Sequence, residues 1–443
     1  MEFLQYLLYL LLTLGILVTV HEFGHFIVAR MSGVDVVRFS VGFGRPFLKY
    51  TDSKGTEFVL AMIPLGGYLQ MREEEDDSEP DLSRKGLIFP SLSVGWRIAI
   101  ALGGPVANFL FAWIVYWVLF AVGTTVVVPV LGSPESGTTA HVAGIRGGEE
   151  IIRVDEAPTP SWSQVNMQLA ARLGDSGRIK VSTSRQGRRH DYWLPIDRWH
   201  AEVDDPDLLD SLGLTMSFEP VIERVEAGSV AEQGGLSAGD RILSINDDIV
   251  TNWTDFVDHV RQGPETELQM VVRRQTMDVL LTVVPEKRRD IDGKVFGFAG
   301  VAPVVPTRTV QFSVGEGFWK GIQEVQSKTT LTLGLLKKMV QGLVSTRNLS
   351  GPITIAKVAG DSAQAGWENF FNVLALLSIS LGVINLLPIP LLDGGHVLFY
   401  GVEVLIGKPV PTRVQSIGVQ IGIVVVAGIM VLAFYNDLAR LLG

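Results

Sequence analysis

The chain has 443 residues, 47% of them hydrophobic, a mean hydropathy of +0.30 and a net charge of −10. That length holds two to four domains, and apolar residues concentrated in a few segments point to a membrane protein carrying a soluble part. The negative balance argues against a nucleic-acid partner, which needs a clustered basic face; the short run Arg188-Arg189-His190 reads as a solvated strand edge. There is no cysteine, so disulfides and thiolate ligands are excluded. Any metal must be held by His, Asp or Glu.

A bilayer core of about 30 Å takes about 20 apolar residues of helix. Leu4–Ala29, Ile98–Gly123, Phe370–Leu392 and Val414–Tyr435 each reach that length. The first has no Lys or Arg ahead of it and no small-residue cleavage site, so it is expected to span the membrane, not to be removed as a leader. Lys and Arg flanking the spans set orientation. Arg30, Arg38, Arg45, Lys49 and Arg97 lie between the first two, and Lys408 and Arg413 between the last two. Residues 30–97 and 400–413 are therefore expected on the cytoplasmic side, with both termini and residues 124–369 outside.

Near the end of the first span lies His21-Glu22-Phe23-Gly24-His25, an H-E-x-x-H pattern. On a helix, residues four apart share a face, so both imidazoles can reach one ion while Glu22 takes a proton. Ionisable groups inside a span cost about 2.5–3.5 kcal/mol each, which marks them as functional. The plain alternative is a helix end emerging into water. The acidic run Glu73–Asp81 that follows reads as a solvated loop.

Residues 143–162 and 234–253 align without a gap at an offset of 91 positions. Gly144 matches Gly235, Gly148 matches Gly239, Glu149 matches Asp240, Ile151 matches Ile242, Val154 matches Ile245 and Trp162 matches Trp253. A repeat of that length means two copies of one small module. The second copy, G-L-x-x-G-D-x-I-x-x-I-N, resembles a PDZ domain, a module that binds extended peptides by adding a strand to a sheet edge. The first departs from the pattern at Glu149 and Asp155. Spacer β-domains without a ligand are the alternative. Beyond Arg308, the residues Phe318, Ile322, Val325, Leu336, Val340 and Leu343 recur at helical spacing with lysines between them. They predict an amphipathic helix on the membrane or on the modules, or an ordinary packed helix.

Catalytic zinc takes three protein ligands. Val28 and Met31 occupy the positions where a longer helical motif would supply the third. The second span holds no Asp, Glu or His, and the fourth holds none before Asp437. The segment Asn385–His396, NLLPIPLLDGGH, offers Asp393 and His396, and elimination leaves these two. Pro388 and Pro390 predict broken backbone there, tolerated at membrane depth only where protein or a watery cavity surrounds it.

H-E-x-x-H in the first span with N-x-x-P-x-P-x-x-D-G in a later one resembles the site-2 protease family of intramembrane zinc metalloproteases, and the likeness covers nearly the whole chain. The resemblance implies a polytopic α-helical membrane protein with four transmembrane helices, a membrane-reentrant β-hairpin and two inserted periplasmic PDZ-like α+β domains. It implies Zn2+ held by His21, His25 and Asp393, with Glu22 as general base and His396 a bystander. Asn385 falls on the family position that holds substrate. Glu57–Met71 resembles the family's reentrant hairpin, with Gly66, Gly67 and Tyr68 at its turn as substrate-binding candidates; a cytosolic hairpin with no substrate role is the alternative. The stretch Gly103–Phe109, GGPVANF, also matches, and Asn108 is expected to face the site and contact substrate.

The expected domains are an N-terminal membrane half over 1–123, PDZ-like domains over 124–218 and 219–308, a periplasmic amphipathic helical segment over 309–368, and a C-terminal membrane half over 369–443. The expected activity is cleavage of single-span membrane proteins already trimmed outside, within the bacterial inner membrane and toward its cytoplasmic side. By resemblance the substrates are an anti-sigma factor of the envelope stress response and remnant signal peptides. The PDZ pair would act as a size filter, and the chain as a monomer in the lipid bilayer. The rival reading is a non-catalytic scaffold that binds peptides through its PDZ pair around a structural zinc. A metal transporter is disfavoured because only one pair of spans carries polar groups.

Overall fold

The computed structural model describes residues 2–72, 87–201, 203–204, 206–289 and 293–442. The acidic run Glu73–Asp81 lies outside the described residues. The chain divides into two compact units, Met1–Thr124 with Gln311–Gly443, and Thr125–Val310.

The first unit is built on helices α1 (Glu2–Ser32), α2 (Val94–Val122), α3 (Val314–Val340), α4 (Pro352–Gln364), α5 (Trp367–Asn385), α6 (Asp393–Ile406) and α7 (Thr412–Leu442). Of these, α1, α2, α5 and α7 are long and apolar enough to cross a membrane. The third span is shorter than its hydropathy suggests. Helix α5 stops at Asn385, and Pro388 and Pro390, which lack amide hydrogens, keep the following segment out of helix. Helices α1 and α2 meet at Gly24 and Gly103: a Cβ on Gly24 would stand 2.2 Å from the Gly103 carbonyl oxygen. Only small residues let two backbones approach that closely. Helix α2 also packs Ala112, Val115, Tyr116 and Leu119 against Ala375, Ile379 and Val383 of α5. At its other end Arg97 donates twice to Glu403 of α6, at 2.6 and 3.1 Å, and lies over the Tyr400 ring.

Helix α3 docks on α2, the ordinary packed arrangement among those the apolar spacing allowed. Gly317 and Gly321 abut Trp113 and Trp117, and the two indole N–H groups donate to the carbonyls of Phe318 and Val314 at 3.2 and 2.8 Å. The small residues between the large ones thus form much of the contact surface, while Val340 of the predicted stripe is 90% exposed. At the far end of the chain Asp437 accepts from the amides of Gly351, Ile353 and Thr354 and from the Thr354 hydroxyl, at 2.6–3.1 Å. These are the unpaired donors at the start of α4, capped from α7 instead of from a neighbouring residue.

Strands β1 (Val36–Thr51) and β2 (Glu57–Met71) form an antiparallel pair. Here the expectation of a hairpin within Glu57–Met71 is corrected. Phe39 opposes both Phe58 and Leu69, so the two halves of β2 pair with β1. The reason is the bend in β1 at Gly42 and Gly44, whose φ values of +90° and +92° suit glycine. Between the strands, Asp52 accepts from the amides of Lys54 and Thr56 at 2.9 Å and pairs with Arg30 at the end of α1. Phe26 packs edge-on against Phe39 and Phe58, with centroids 5.6 and 5.5 Å apart, and so seats the sheet on α1.

The second unit contains the repeat as two four-stranded sheets of the same order. The first runs Ala157–Pro158, Glu150–Val154, Gly177–Arg185, Arg188–Ile196; the second runs Asp248–Ile249, Arg241–Ile245, Leu268–Arg274, Met277–Val283. In each, a helix opens at the matched tryptophan, Trp162 capped by Ser161 or Trp253 capped by Asn252. Ile151, Val154, Trp162 and Val165 line one core, and Ile242, Ile245, Trp253 and Phe256 take the same places in the other. The matched glycines Gly144, Gly148, Gly235 and Gly239 all have φ between +80° and +89°, the left-handed turn that leads into the strand.

Candidate metal centre

His21 and His25 lie one turn apart on α1 and aim at Asp393 in the first turn of α6. Their Nε2 atoms are 3.2 Å apart and stand 3.1 and 3.5 Å from Asp393 Oδ2. Among the described residues, this is the group of three side chains whose ligand atoms converge as a metal site requires. Three donors held about 2 Å from a tetrahedral ion stand roughly 3.3 Å from one another, so the triangle has the right size. His25 Nδ1 lies 2.7 Å from the Ile100 carbonyl, which can only accept, and a looser 3.3 Å from the Gly104 amide, so the closer carbonyl sets its role. That nitrogen therefore carries the proton, and Nε2 presents its lone pair inward. Lone pairs converging on a carboxylate repel unless a cation lies among them. Two imidazoles and a carboxylate also form a donor set that catalytic zinc uses, so the residues fit the ion.

The backbone makes room for this cluster at three glycines. A Cβ on Gly104 of α2 would stand 2.4 Å from His25 Nε2 and 2.8 Å from His21 Nε2, filling the cradle. Cβ atoms on Gly394 and Gly395 would stand 2.4 and 2.3 Å from carbonyl oxygens of Leu386 and Ile389. Their absence lets the proline-broken segment fold against the start of α6 and hold Asp393 in place. His396, the other candidate left by elimination, is exposed and stacks along Tyr400 at 6.4 Å. It does not belong to the group whose ligand atoms converge, so Asp393 is the third candidate ligand.

Glu22 faces the sheet. A Cβ on Gly67 would stand 3.0 Å from Glu22 Cγ and 2.9 Å from Val18 Cγ1, so β2 runs directly along α1 at the acid. Asn385, at the end of α5, brings Nδ2 to 3.5 Å from His21 Nε2. Asn108 meets the site from behind: it is fully buried, with Nδ2 3.0 Å from His21 Nδ1. Enclosed there, it contacts a candidate ligand. Gly66 and Tyr68 do not join the cluster. Gly66 turns under the Phe43 ring with φ +105°, and Tyr68 stacks on Phe43 with centroids 6.0 Å apart. Strand alternation sends Tyr68 to the face opposite Gly67.

Three participants escaped the sequence reading: Gly24, Gly104 and the Ile100 carbonyl. The glycine inside H-E-F-G-H and the Gly103-Gly104 pair in the second span were the available signals for the first two. A main-chain carbonyl leaves none.

The chain matches Peptidase family M50 over residues 9–429. It is 42% identical to the regulator of sigma-E protease RseP of Escherichia coli (strain K12), over 100% of both chains. It is also 42% identical to the protein of the same name from Salmonella typhimurium, over 97% of this chain and 98% of that one. A Vibrio cholerae protein described as a zinc metalloprotease is 39% identical, over 97% and 98% respectively. The matched region contains H-E-x-x-H, the Asp393 segment, the second and third apolar helices, and parts of the first and fourth. The chain belongs to peptidase family M50, the site-2 proteases, and is a polytopic membrane protein and a zinc metalloprotease.

Proposed function

We propose that the protein hydrolyses peptide bonds inside the transmembrane segments of single-span proteins in the bacterial inner membrane. The observation that carries this is the triangle of His21 Nε2, His25 Nε2 and Asp393 Oδ2, with edges of 3.1–3.5 Å, beside Glu22. In this reading His21, His25 and Asp393 hold the zinc. When bound, zinc supplies Lewis-acid activation of water and of the scissile carbonyl. Glu22 takes the proton from the attacking water and passes it to the leaving amine. Asn385 donates its amide hydrogens to a substrate carbonyl, a role supported by its position at the mouth of the cluster.

A peptide bond inside a helix is shielded by the helix's own hydrogen bonds. Its unwound backbone needs replacement partners in a medium without water. The edge of β2, which passes Glu22 at Gly67, supplies them by adding the substrate as a strand. The sheet exposes Phe43, Phe47, Leu48, Tyr50, Met62 and Ile63, a surface suited to lipid, which supports its re-entry into the membrane. The two repeated modules are PDZ-like domains outside the membrane, 124–218 and 219–308. They exclude substrates that still carry bulky outer parts. Two relatives are named as regulators of sigma-E, and in this reading the substrate is an anti-sigma factor, with remnant signal peptides as a second class and a monomer as the working unit. Glu22→Gln is expected to keep its zinc and to stop cleavage of a model span by the full chain in detergent. Cleavage at the wild-type rate by that variant rejects the reading.

A further inference from the structure

Helix α2 supplies no ligand to the candidate metal centre, yet it touches both imidazoles from behind. Ile100, Gly104 and Asn108 lie at four-residue spacing, and so on one face of the helix. The Ile100 carbonyl accepts from His25 Nδ1 at 2.7 Å, Gly104 leaves the space for both Nε2 atoms, and Asn108 meets His21 Nδ1 at 3.0 Å. Asn108 is itself held: Ser378 Oγ of α5 donates to its main-chain carbonyl at 2.9 Å, and none of its side chain is exposed.

The two ends of this amide are not equivalent in what they do to His21. A neutral imidazole carries one proton. If the amide nitrogen faces Nδ1, it donates there, Nδ1 accepts, and the ring proton sits on Nε2, where it blocks a metal. If the oxygen faces Nδ1, it accepts from Nδ1–H, and Nε2 is left with its lone pair pointed inward. The nitrogen and oxygen of an amide are close to the same size, and a half-turn of the side chain exchanges them. With the nitrogen toward His21, Asn108 Oδ1 is buried without a hydrogen-bond partner, whereas the half-turned amide gives the oxygen one in Nδ1–H.

We infer that Asn108 is a positioning residue that presents its oxygen to His21 Nδ1 and so fixes the tautomer in which His21 can ligate zinc, as the Ile100 carbonyl does for His25. This rests on the reading of His21, His25 and Asp393 as the zinc ligands. Outer partners of this kind typically change metal affinity 10–100-fold when removed. The matching of one side-chain and one main-chain acceptor also explains why an asparagine stands in an otherwise apolar helix, where an unpaired amide is costly.

The test compares variants of the purified full chain in detergent, with zinc affinity read by chelator competition, and kcat and KM measured beside it. Asn108→Leu keeps the shape and removes the acceptor, Asn108→Ala removes it without adding bulk, and Asn108→Asp has only acceptors. The Leu and Ala variants are expected to bind zinc about 10–100-fold more weakly and to lose kcat with KM little changed. The Asp variant is expected to stay within a few-fold of wild type in zinc affinity, and to be the least stable of the three in thermal unfolding after chelation. A merely structural role predicts the reverse order, with zinc affinity following stability and Asp the worst. Wild-type affinity in both the Leu and Ala variants, or an Asp variant as weak as Leu, overturns the inference. His21→Ala is the control: if it retains zinc, the ligand assignment itself fails, whereas loss of zinc there with retention in Asn108→Leu overturns only the role given to Asn108.

Discussion

Asp393 and Asp240 are both carboxylates withdrawn from water, one in the membrane unit and one in the second β-module. Their surroundings differ. Asp240 is wholly buried and fully supplied with donors: the Ser237 amide at 2.9 Å and two Arg274 nitrogens at 2.8 Å. Asp393 faces imidazole nitrogens, one of which already presents a lone pair. A buried charge is tolerated when it is paired and hydrogen-bonded. Asp240 meets that condition within the chain, whereas Asp393 would meet it with the metal proposed for its cluster. The contrast separates a carboxylate that builds a fold from one that builds a site.

The sharpest way to break this comparison is at the membrane cluster. Asp393→Ala should abolish both zinc binding and proteolysis while the second module keeps its stability. Gly104→Ala should do nearly as much, because its methyl would stand 2.4 Å from His25 Nε2. Gly428→Ala in α7, with nothing within 4 Å of the added carbon, should be silent. Zinc content of the purified chains checks all three, and a zinc-replete Gly104→Ala protein would refute the cradle.

In the modules the effect should fall on stability and leave zinc untouched. The repeat sharpens this, because the matched acids draw on different positions: by strand register Thr183 falls at Val272 and Arg274 at Arg185. Asp240 pairs with Arg274, whereas Glu149 accepts from Thr183 Oγ1 at 2.5 Å and from the Tyr192 hydroxyl at 3.0 Å. The matched acids are thus satisfied from different strand positions and with different chemistry in the two copies. Arg274→Met should cost about 2–3 kcal/mol, toward the low end of a broken buried pair because the guanidinium end is open to water. Thr183→Val should cost about 1–2 kcal/mol, because Glu149 loses one hydroxyl donor and keeps that of Tyr192. Hydrogen exchange of each module in the full chain measures both. Equal losses would mean that charge makes no difference at this position.

The smallest expected effect is a pH dependence in the second module. His259 Nδ1 donates to the Asp255 carbonyl at 2.7 Å, and Nε2 lies 3.4 Å from Asp248 Oδ2. The main-chain hydrogen bond, with Asp248 assisting against partial burial, raises its pKa above the ordinary 6.5. A raised pKa means that the folded form holds the proton more tightly. Its contribution is therefore complete below pH 6.5 and is lost as pH rises through the folded value. Amides of the helix Trp253–Gln262 should be better protected at about pH 5.5 than at about pH 8, once intrinsic rates are removed. His259→Gln should flatten the difference, and a difference that persists in that variant would assign it elsewhere.

Much of this was legible in the residues, for identifiable reasons. The spacing of His21 and His25 declares a shared helical face, and the scarcity of other ionisable groups in the spans narrowed the third ligand to Asp393 and His396. The repeat was visible because its turn glycines and core residues recur in step. What escaped was information carried by the main chain or by partners far away in sequence. Ile100 contributes a carbonyl that any residue would have. The double pairing of β1 depends on a bend at Gly42 and Gly44 that joins segments no local alternation connects. The docking of α3 uses Gly317 and Gly321, which an apolar stripe does not mark. Tyr68 stands apart from the cluster because a strand reverses face at every residue, and Gly67 takes the side toward Glu22.

The carboxylate of Asp437 has a consequence for how the chain is made. The opening amides of α4 find their acceptor more than eighty residues later, and Gly351 is seated so tightly there that a Cβ would stand 2.6 Å from Asp437 Oδ2. While the ribosome is still producing α7, those amides have no such acceptor, and the first turn of α4 must fray. Completion of that turn therefore reports that the final helix has arrived, so a chain that terminates early carries a defect at a point far upstream of the break.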